Sequence, residues 1–304
     1  MMKDKPHLAE GTIVDHFSFE KVIGGGGFSV VYLGHNLKTD EKVIIKEYFP
    51  SKLSNRNPDG SVQAKDEKSE KLYNMGRKLF FQEAGILAAL DHPNIVNVLA
   101  LFHGNNTVYT AMEFRRGVSL QAYIRKRHGQ LPEALLRNIF KPILEALKSM
   151  HEMDLLHLDI KPGNIFLCDD GTPILLDFGA VHKLLRTEEA RQFPVVSHGF
   201  SPIEQSNRSA KLGPYTDIYA IGATMRACIQ GNAPVPAKER RKTPLNPAVE
   251  AFKNLPYSPE LLKLMDWAMA LPPKHRPQTV DEYLLELEKL PPLDQPRPNV
   301  QSSV

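Results

Sequence analysis

The sequence predicts an α+β protein in two parts, a small antiparallel sheet with one main helix followed by a larger, mainly helical portion. Three observations carry this. Short runs rich in Val, Ile, Phe and Tyr fill the first third and are broken by glycines and polar turns, as in hairpin-linked strands. One amphipathic helix interrupts them. Beyond Gly117 apolar residues recur at helical spacing in segment after segment.

In chain order, residues 1–16 read as an N-terminal extension. Phe17 to Tyr48 reads as strands, with a break at Asn36 to Glu41. Pro50 to Glu70 is polar and contains Asn-Pro-Asp-Gly (Asn57 to Gly60), turn chemistry that predicts an exposed insertion rather than an element. Leu72, Met75, Leu79, Ala84, Leu87 and Leu90 then mark a helix that ends at Asp91-His92-Pro93. Ile95 to Phe102 and Val108 to Phe114 are two more strands. They complete a first lobe, 17–114, with a hinge at 113–117 in which Gly117 supplies the freedom. The second lobe, 118–290, opens on a helix over Glu133 to Glu152, where Leu136, Phe140, Leu144, Leu147 and Met150 form one stripe. Tyr215 to Gln230, Pro259 to Ala270 and Val280 to Leu290 are further helices. Residues 291–304 are proline-rich and polar, the composition of a tail or linker.

Composition excludes more than it names. With 38 Lys and Arg against 35 Asp and Glu, the formal charge of +3 is too small to argue for nucleic acid or an anionic membrane. The two cysteines, Cys168 and Cys228, have no metal-ligand spacing and fit a reducing, cytoplasmic setting. No window reaches the roughly 18 apolar residues of a spanning helix. Oligomeric state leaves no readable mark.

Chemistry concentrates in four places. Ile23-Gly24-Gly25-Gly26-Gly27-Phe28-Ser29-Val30-Val31 joins two strands, and its glycines let backbone N–H groups approach phosphate oxygens. A dinucleotide-binding motif would need a helix next, with an acidic residue about 20 positions on; a strand follows instead. The strand after it, Lys42 to Tyr48, carries Lys46 in an apolar stretch, where a cation needs a partner or an anion, and the helix offers Glu83 as counter-ion; on spacing alone a snorkelling surface lysine is the commoner case. After the helix ending near Glu152, His157-Leu158-Asp159-Ile160-Lys161-Pro162-Gly163-Asn164 packs Asp159, Lys161 and Asn164 into one loop between apolar segments. A hairpin, Ile165 to Leu176, then leads to Asp177-Phe178-Gly179 and can bring Asn164 and Asp177 side by side, where two oxygen ligands beside a phosphate cradle would suit magnesium. Asp159 is left to accept a hydroxyl proton.

In this order the motifs resemble those of the eukaryotic-type protein kinase family, including its bacterial serine/threonine branch, from about Phe17 to Leu290. The resemblance implies a bilobal protein-kinase-like fold and ATP-dependent transfer of a γ-phosphoryl group to serine or threonine of a protein substrate. It assigns Ile23 to Ser29 and Val31 to the phosphate cover, Lys46 and Glu83 to the nucleotide ion pair, and Asn164 and Asp177 to magnesium, with manganese as an alternative. Met112 becomes the gatekeeper, Glu113, Phe114 and Arg115 the adenine hinge, and Ile44 and Phe166 the roof and floor of the base pocket. Asp159 and Lys161 are the catalytic pair, the lysine marking the serine/threonine version. Glu204 is expected to pair with Arg276, Ser197 to bridge Asp159 and Lys161, and Asp217 to brace the loop. Leu87, Val98, His157 and Phe178 would form a hydrophobic column.

The departures matter too. Ser29 replaces the third glycine, Ile44 a usual alanine, and Leu158 the arginine of His-Arg-Asp, which removes the cation that would bind a phosphorylated activation segment. Thr187 and Ser197 are the only hydroxyl residues between Asp177 and Gly199, so autophosphorylation could fall on Thr187; Arg240-Arg241-Lys242 reads as a docking patch or, more commonly, a solvated loop. The alternative reading is a kinase-like scaffold without turnover, suggested by Ile44 and Leu158.

Overall fold

A computed structural model describes residues 7–176, 196–207, 209–240 and 242–293. The chain divides into two compact units between Arg116 and Gly117.

The first unit is a six-stranded antiparallel sheet ordered β1-β2-β3-β4-β8-β7. Its strands are β1 (Ile13–Val14), β2 (Phe17–Gly25), β3 (Ser29–Asn36), β4 (Glu41–Tyr48), β7 (Val98–Gly104) and β8 (Thr107–Glu113). Asn105 and Asn106, both with positive φ, make the two-residue turn between β7 and β8. The period of two on β4 decides the chemistry of this lobe. Val43, Ile45 and Glu47 point into the core, while Ile44 and Lys46 lie half-buried on the other face. Aromatic rings fill that core. Phe102 stacks between Phe17 and Tyr109, and Phe19 meets Tyr32 and Tyr109 edge-on.

Strand parity therefore buries a carboxylate, and Glu47 is fully enclosed. Its Oε2 accepts from Tyr32 Oη at 2.9 Å and from Arg56 Nη2 at 2.6 Å, and its Oε1 accepts from Tyr109 Oη at 3.0 Å. Burial works against the Arg56 charge, yet the Glu47 carboxylate outweighs it and raises the guanidinium pKa. Burial, then the charge of Glu47, pushes both tyrosines up.

Arg56 corrects the expectation that Pro50 to Glu70 is an exposed insertion without elements. The segment forms a hairpin of β5 (Ser54–Arg56) and β6 (Val62–Ala64), in which Ser54 and Val62 are buried. The turn predicted at Asn57 to Gly60 is present, and Arg56 Nη1 donates to Gly60 O at 2.8 Å. A buried acceptor on β4 turned a polar segment into part of the core. The end of the same segment belongs to helix α1 (Glu67–Leu87), which starts before Leu72 because Asp66 caps it, accepting from Ser69 N–H at 2.8 Å. Tyr73, Ala84 and Leu87 are its buried residues. A Cβ at Gly76 would meet Tyr48 Oη at 2.1 Å, so this mid-helix glycine is required by packing.

The second unit opens with β9 (Gly117–Ser119), which pairs with β10 (Ile165–Cys168), itself paired with β11 (Pro173–Leu175). Gly117 has φ +152°, and a Cβ there would lie 2.1 Å from Leu167 O. Helix α2 (Leu120–Arg127) was not anticipated; Ser119 caps it and left-handed His128 ends it. Helix α3 occupies Glu133–Glu152 as the stripe predicts. Helix α4 (Pro214–Gln230) is buried from Thr216 to Ile229, the signature of a helix packed on every side. Gly222 lets it approach α6 (Pro259–Ala268), since a Cβ there would sit 2.7 Å from that of Ala268. Short α5 (Ala248–Ala251) and α7 (Val280–Glu288) complete the unit.

Arg56→Met strands a buried carboxylate and should lower unfolding free energy in urea by about 3–5 kcal/mol. The double variant Glu47→Gln with Arg56→Met removes both charges and should recover most of that loss. Equal losses in the two proteins would contradict this account of the ion pair.

Candidate active site

The loop after α3 is built around one buried charge. Asp217, in the first turn of α4, has no solvent exposure, and its Oδ1 accepts from Leu158 N–H at 2.8 Å. Its Oδ2 accepts from His157 N–H at 2.9 Å and lies 2.9 Å from His151 Nε2 at the end of α3. Burial alone would raise the pKa of Asp217. The hydrogen bond and charge of His151, with the Leu158 amide, outweigh it and hold the pKa below the ordinary aspartate value.

These amide bonds hold Leu158 at φ +63°, a left-handed conformation costly for a branched side chain. The Gln205 side-chain amide donates to the Leu158 carbonyl from the other side. The leucine side chain is buried with Leu156 against Leu212. One residue later the chain delivers Asp159.

Asp159 is almost fully buried and is surrounded by donors. Lys161 Nζ reaches Oδ2 at 2.7 Å, Ser197 Oγ donates to Oδ1 at 2.6 Å, and Asn164 Nδ2 donates to Oδ2 at 2.9 Å. Lys161 Nζ also donates to Ser197 Oγ at 3.1 Å, so Ser197 bridges the pair as its position suggested. Asn164 Nδ2 further binds the Asp159 carbonyl at 2.8 Å, which closes the loop on itself. The His157 ring locks the entry: Asp159 N–H donates to its Nδ1 at 3.2 Å, and its Nε2 lies 3.2 Å from Leu176 O.

Ser197 is placed by its neighbours. Its N–H donates to Ser201 Oγ at 2.9 Å, and nearby Glu204 makes the expected buried pair with Arg276, at 2.6 and 3.1 Å. Arg276 also donates to the carbonyls of Ala270, Leu271 and Tyr215 and lies over the Tyr219 ring.

In the first unit, Gly24 pairs with Val31, Val31 with Lys46, and Lys46 with Thr110 across neighbouring strands. The Lys46 ammonium stands 5.4 Å from the Phe80 ring centroid. Phe80 is three residues before Glu83, so the cation reaches the α1 face that bears this half-buried carboxylate. Gly26 N–H donates to Ser29 O at 2.9 Å, closing the glycine turn, with Ile23 and Phe28 exposed beside it. Ile44 faces Met112 across β4 and β8, and Met112 faces Val98 on β7. Glu113 donates its N–H to Asn97 O at 3.0 Å and pairs with Arg115, with Phe114 between them. In the second unit Phe166 is paired with Ser119 and Ile174.

Asp177, Phe178 and Thr187 lie outside the described residues, and so does Arg241. Arg240 is half-buried, and its Nη1 donates to Met269 O at 2.6 Å.

A family model described as the protein kinase domain matches residues 17–285. The chain belongs to the protein kinase family. Among solved kinase structures it is similar to PpkA-294 in its apo form, with 35% identity and a TM-score of 0.83 over 92% of this chain and 99% of that one. It is 28% identical over 280 residues to serine/threonine-protein kinase PknA of Nostoc, covering 88% of this chain and 46% of the relative. It is 29% identical over 285 residues to serine/threonine-protein kinase PrkC of Bacillus subtilis, covering 91% and 40%. The chain thus spans less than half the length of these curated relatives. The resemblance to the bacterial branch and the α+β fold class expected from it both stand.

Two residues that support this loop from other elements escaped sequence reading. His151 supports Asp217, and its signal was a lone basic residue in the last turn of α3. Gln205 holds the Leu158 carbonyl, for which spacing offers no signal.

Because the folded pKa of Asp217 is depressed, its contribution to stability is present above the unfolded value near 4. It is lost as pH falls through the lower folded value. Asp217→Asn should destabilise the protein at pH 7 and flatten the fall of unfolding free energy below about pH 4. Urea titrations across that range measure both; an unchanged slope would contradict the role.

Proposed function

We propose that this chain is an ATP-dependent serine/threonine protein kinase that transfers the γ-phosphoryl group of ATP to a hydroxyl of a protein substrate. One observation carries the reading: Asp159 is held at once by Lys161, Asn164 and Ser197 in the order of residues the family uses. Asp159 orients the incoming hydroxyl and accepts its proton as the oxygen bonds to phosphorus and ADP leaves. Lys161, within reach of the same point, offsets charge on the transferring group. Catalysis on this reading is positioning plus electrostatics.

The glycine turn supports a phosphate cover. A Cβ at Gly26 or Gly27 would meet no protein atom within 4 Å, and neither residue has positive φ. Nothing in the protein itself demands glycine there, whereas close approach of an anion to the backbone does. Gly25 differs: its φ is +151°, and a Cβ would lie 2.7 Å from Ser29 O. Ile23, Phe28, Ser29 and Val31 would border the phosphates, and Lys46, with Glu83, would hold them. Ile44, Met112, Glu113, Phe114, Arg115 and Phe166 would receive the base.

Magnesium, or manganese in its place, would neutralise phosphate oxygens, held by Asn164 and Asp177. Asn164 fits because its Nδ2 is committed to Asp159, so Oδ1, a hard oxygen donor, faces away from that carboxylate.

Leu158 bears on regulation. Apolar packing against Leu156 and Leu212 occupies the place of a loop arginine, so turnover should depend little on phosphate in the activation segment. Among the described residues no helix is long and apolar enough to cross a membrane. A protein partner bearing serine or threonine follows from this reading, and the two free cysteines, Cys168 and Cys228, suit a reducing, cytoplasmic setting.

Asp159→Ala should reduce transfer of label from ATP to a generic basic protein by about 100-fold or more while nucleotide binding persists. Equal rates in variant and wild type would refute the assignment, and no transfer by the wild type would favour a scaffold. Separately, Gly26→Ala should raise KM for ATP severalfold with an unchanged Tm, whereas Gly25→Ala should lower Tm. The reverse pattern would remove the phosphate-cover argument.

A further inference from the structure

The hairpin β5–β6, unexpected from the sequence, is tied to the glycine turn. Phe49 N–H donates to Phe28 O at 2.9 Å, which extends the β3–β4 ladder. The next contact leaves the ladder: Ser51 N–H donates to Gly27 O at 3.2 Å and so grips the tip of the turn. Ser51 is itself held, since Lys65 Nζ donates to its carbonyl at 2.8 Å. Lys65 leaves the far strand of the hairpin, and its N–H donates to Leu53 O at 2.9 Å.

The hairpin is anchored at its other end. Arg56 is locked to Glu47 in the core, Val62 N–H donates to Asn105 O at 2.8 Å, and Asn106 Nδ2 donates to Val62 O at 2.8 Å. A rigid body thus extends from the lobe core to the carbonyl of Gly27.

A peptide unit is planar, with C=O and N–H pointing in opposite directions. Holding Gly27 C=O toward Ser51 therefore turns Phe28 N–H to the opposite side. A turn of consecutive glycines has high conformational entropy, and fixing one of its peptides in advance reduces the ordering needed on binding an anion.

We propose that the Leu53–Lys65 hairpin is a strut that presets the glycine turn, with Ser51 and Lys65 as positioning residues that aim the Phe28 amide at the phosphates of the nucleotide. This rests on the kinase reading above. Lys65 is exposed, so its removal leaves the core intact.

Lys65→Met should raise KM for ATP about three- to tenfold, with kcat within about twofold and Tm unchanged, and Lys65→Arg should restore KM. Amide exchange at Gly26 to Ser29 should quicken in Lys65→Met and in the Glu47→Gln, Arg56→Met double variant, which loosens the anchor without stranding a charge. A merely structural role would move Tm and leave the split between KM and kcat alone. Unchanged exchange at the glycine turn in both variants would overturn the strut, as would an unchanged KM in a wild type and variant that both turn over ATP. Exchange is read with or without turnover, so a wild type that transfers no label refutes the kinase reading while exchange still decides the strut.

Discussion

Asp217 carries its charge where no solvent reaches, and His151 together with the backbone of His157 and Leu158 satisfies it. An unpaired buried carboxylate would be far too costly to retain, so the loop has little freedom to adopt another path. Its two amides must converge on one side chain, and Leu158 accepts a left-handed φ as the consequence. That conformation turns the chain so that Asp159 faces Lys161, Asn164 and Ser197 rather than the core. The geometry of the Asp159 carboxylate is thus set from behind, by a helix that supplies none of the groups that surround it. Since α4 is enclosed along nearly its whole length, the reference point it provides cannot easily shift.

The first unit repeats the same logic with a different element. Glu47 is buried because it shares strand parity with Val43 and Ile45, and the same parity puts Lys46 on the opposite face. Any slip of β4 by one residue would bury the lysine and expose the glutamate. The Tyr32, Tyr109 and Arg56 donors therefore do more than neutralise a charge. They fix the register of the strand that presents Lys46, and through Arg56 they recruit a polar segment into the lobe. Buried ion pairs are weak evidence for net stability, but a charge that fixes register is among their best supported uses.

Much of this was legible in the sequence, and the reasons differ by element. Helices α3 and α4 were readable because their apolar stripes are long, and the loop was readable because three polar residues interrupt apolar runs within a few positions. The hairpin at 54–64 was not, because its signals are local while its cause is distant. Asn57 to Gly60 reads as an exposed turn, and it is one. What makes its flanks into strands is a carboxylate on β4, visible only once Glu47 is assigned to the same face as Val43. That parity was available: a glutamate in register with two core residues calls for a cation, and Arg56 follows within ten positions. Helix α2 was missed for a different reason, since Leu120 and Ile124 are its only buried residues and most of its remainder is polar. Gln205 was beyond reach because its bond to a backbone carbonyl depends on tertiary placement alone.

The two loops solve opposite problems. The loop of Asp159 must be immobile, so it is bound at His157, Leu158, Asp159 and Asn164 and nearly every polar group points inward. On the proposed function the glycine turn would meet its ligand with its backbone, which fits glycines at 24–27. Glycine alone would leave such a turn with many accessible conformations, whose ordering costs entropy. Ser51, donating both its N–H and its Oγ to the Gly27 carbonyl at 3.2 and 3.5 Å, limits that freedom without touching the Phe28 amide, because the planar peptide transmits the constraint to it. That the donor comes from Ser51, at the root of a hairpin anchored by Arg56, links the stability of the lobe core to the order of the glycine turn.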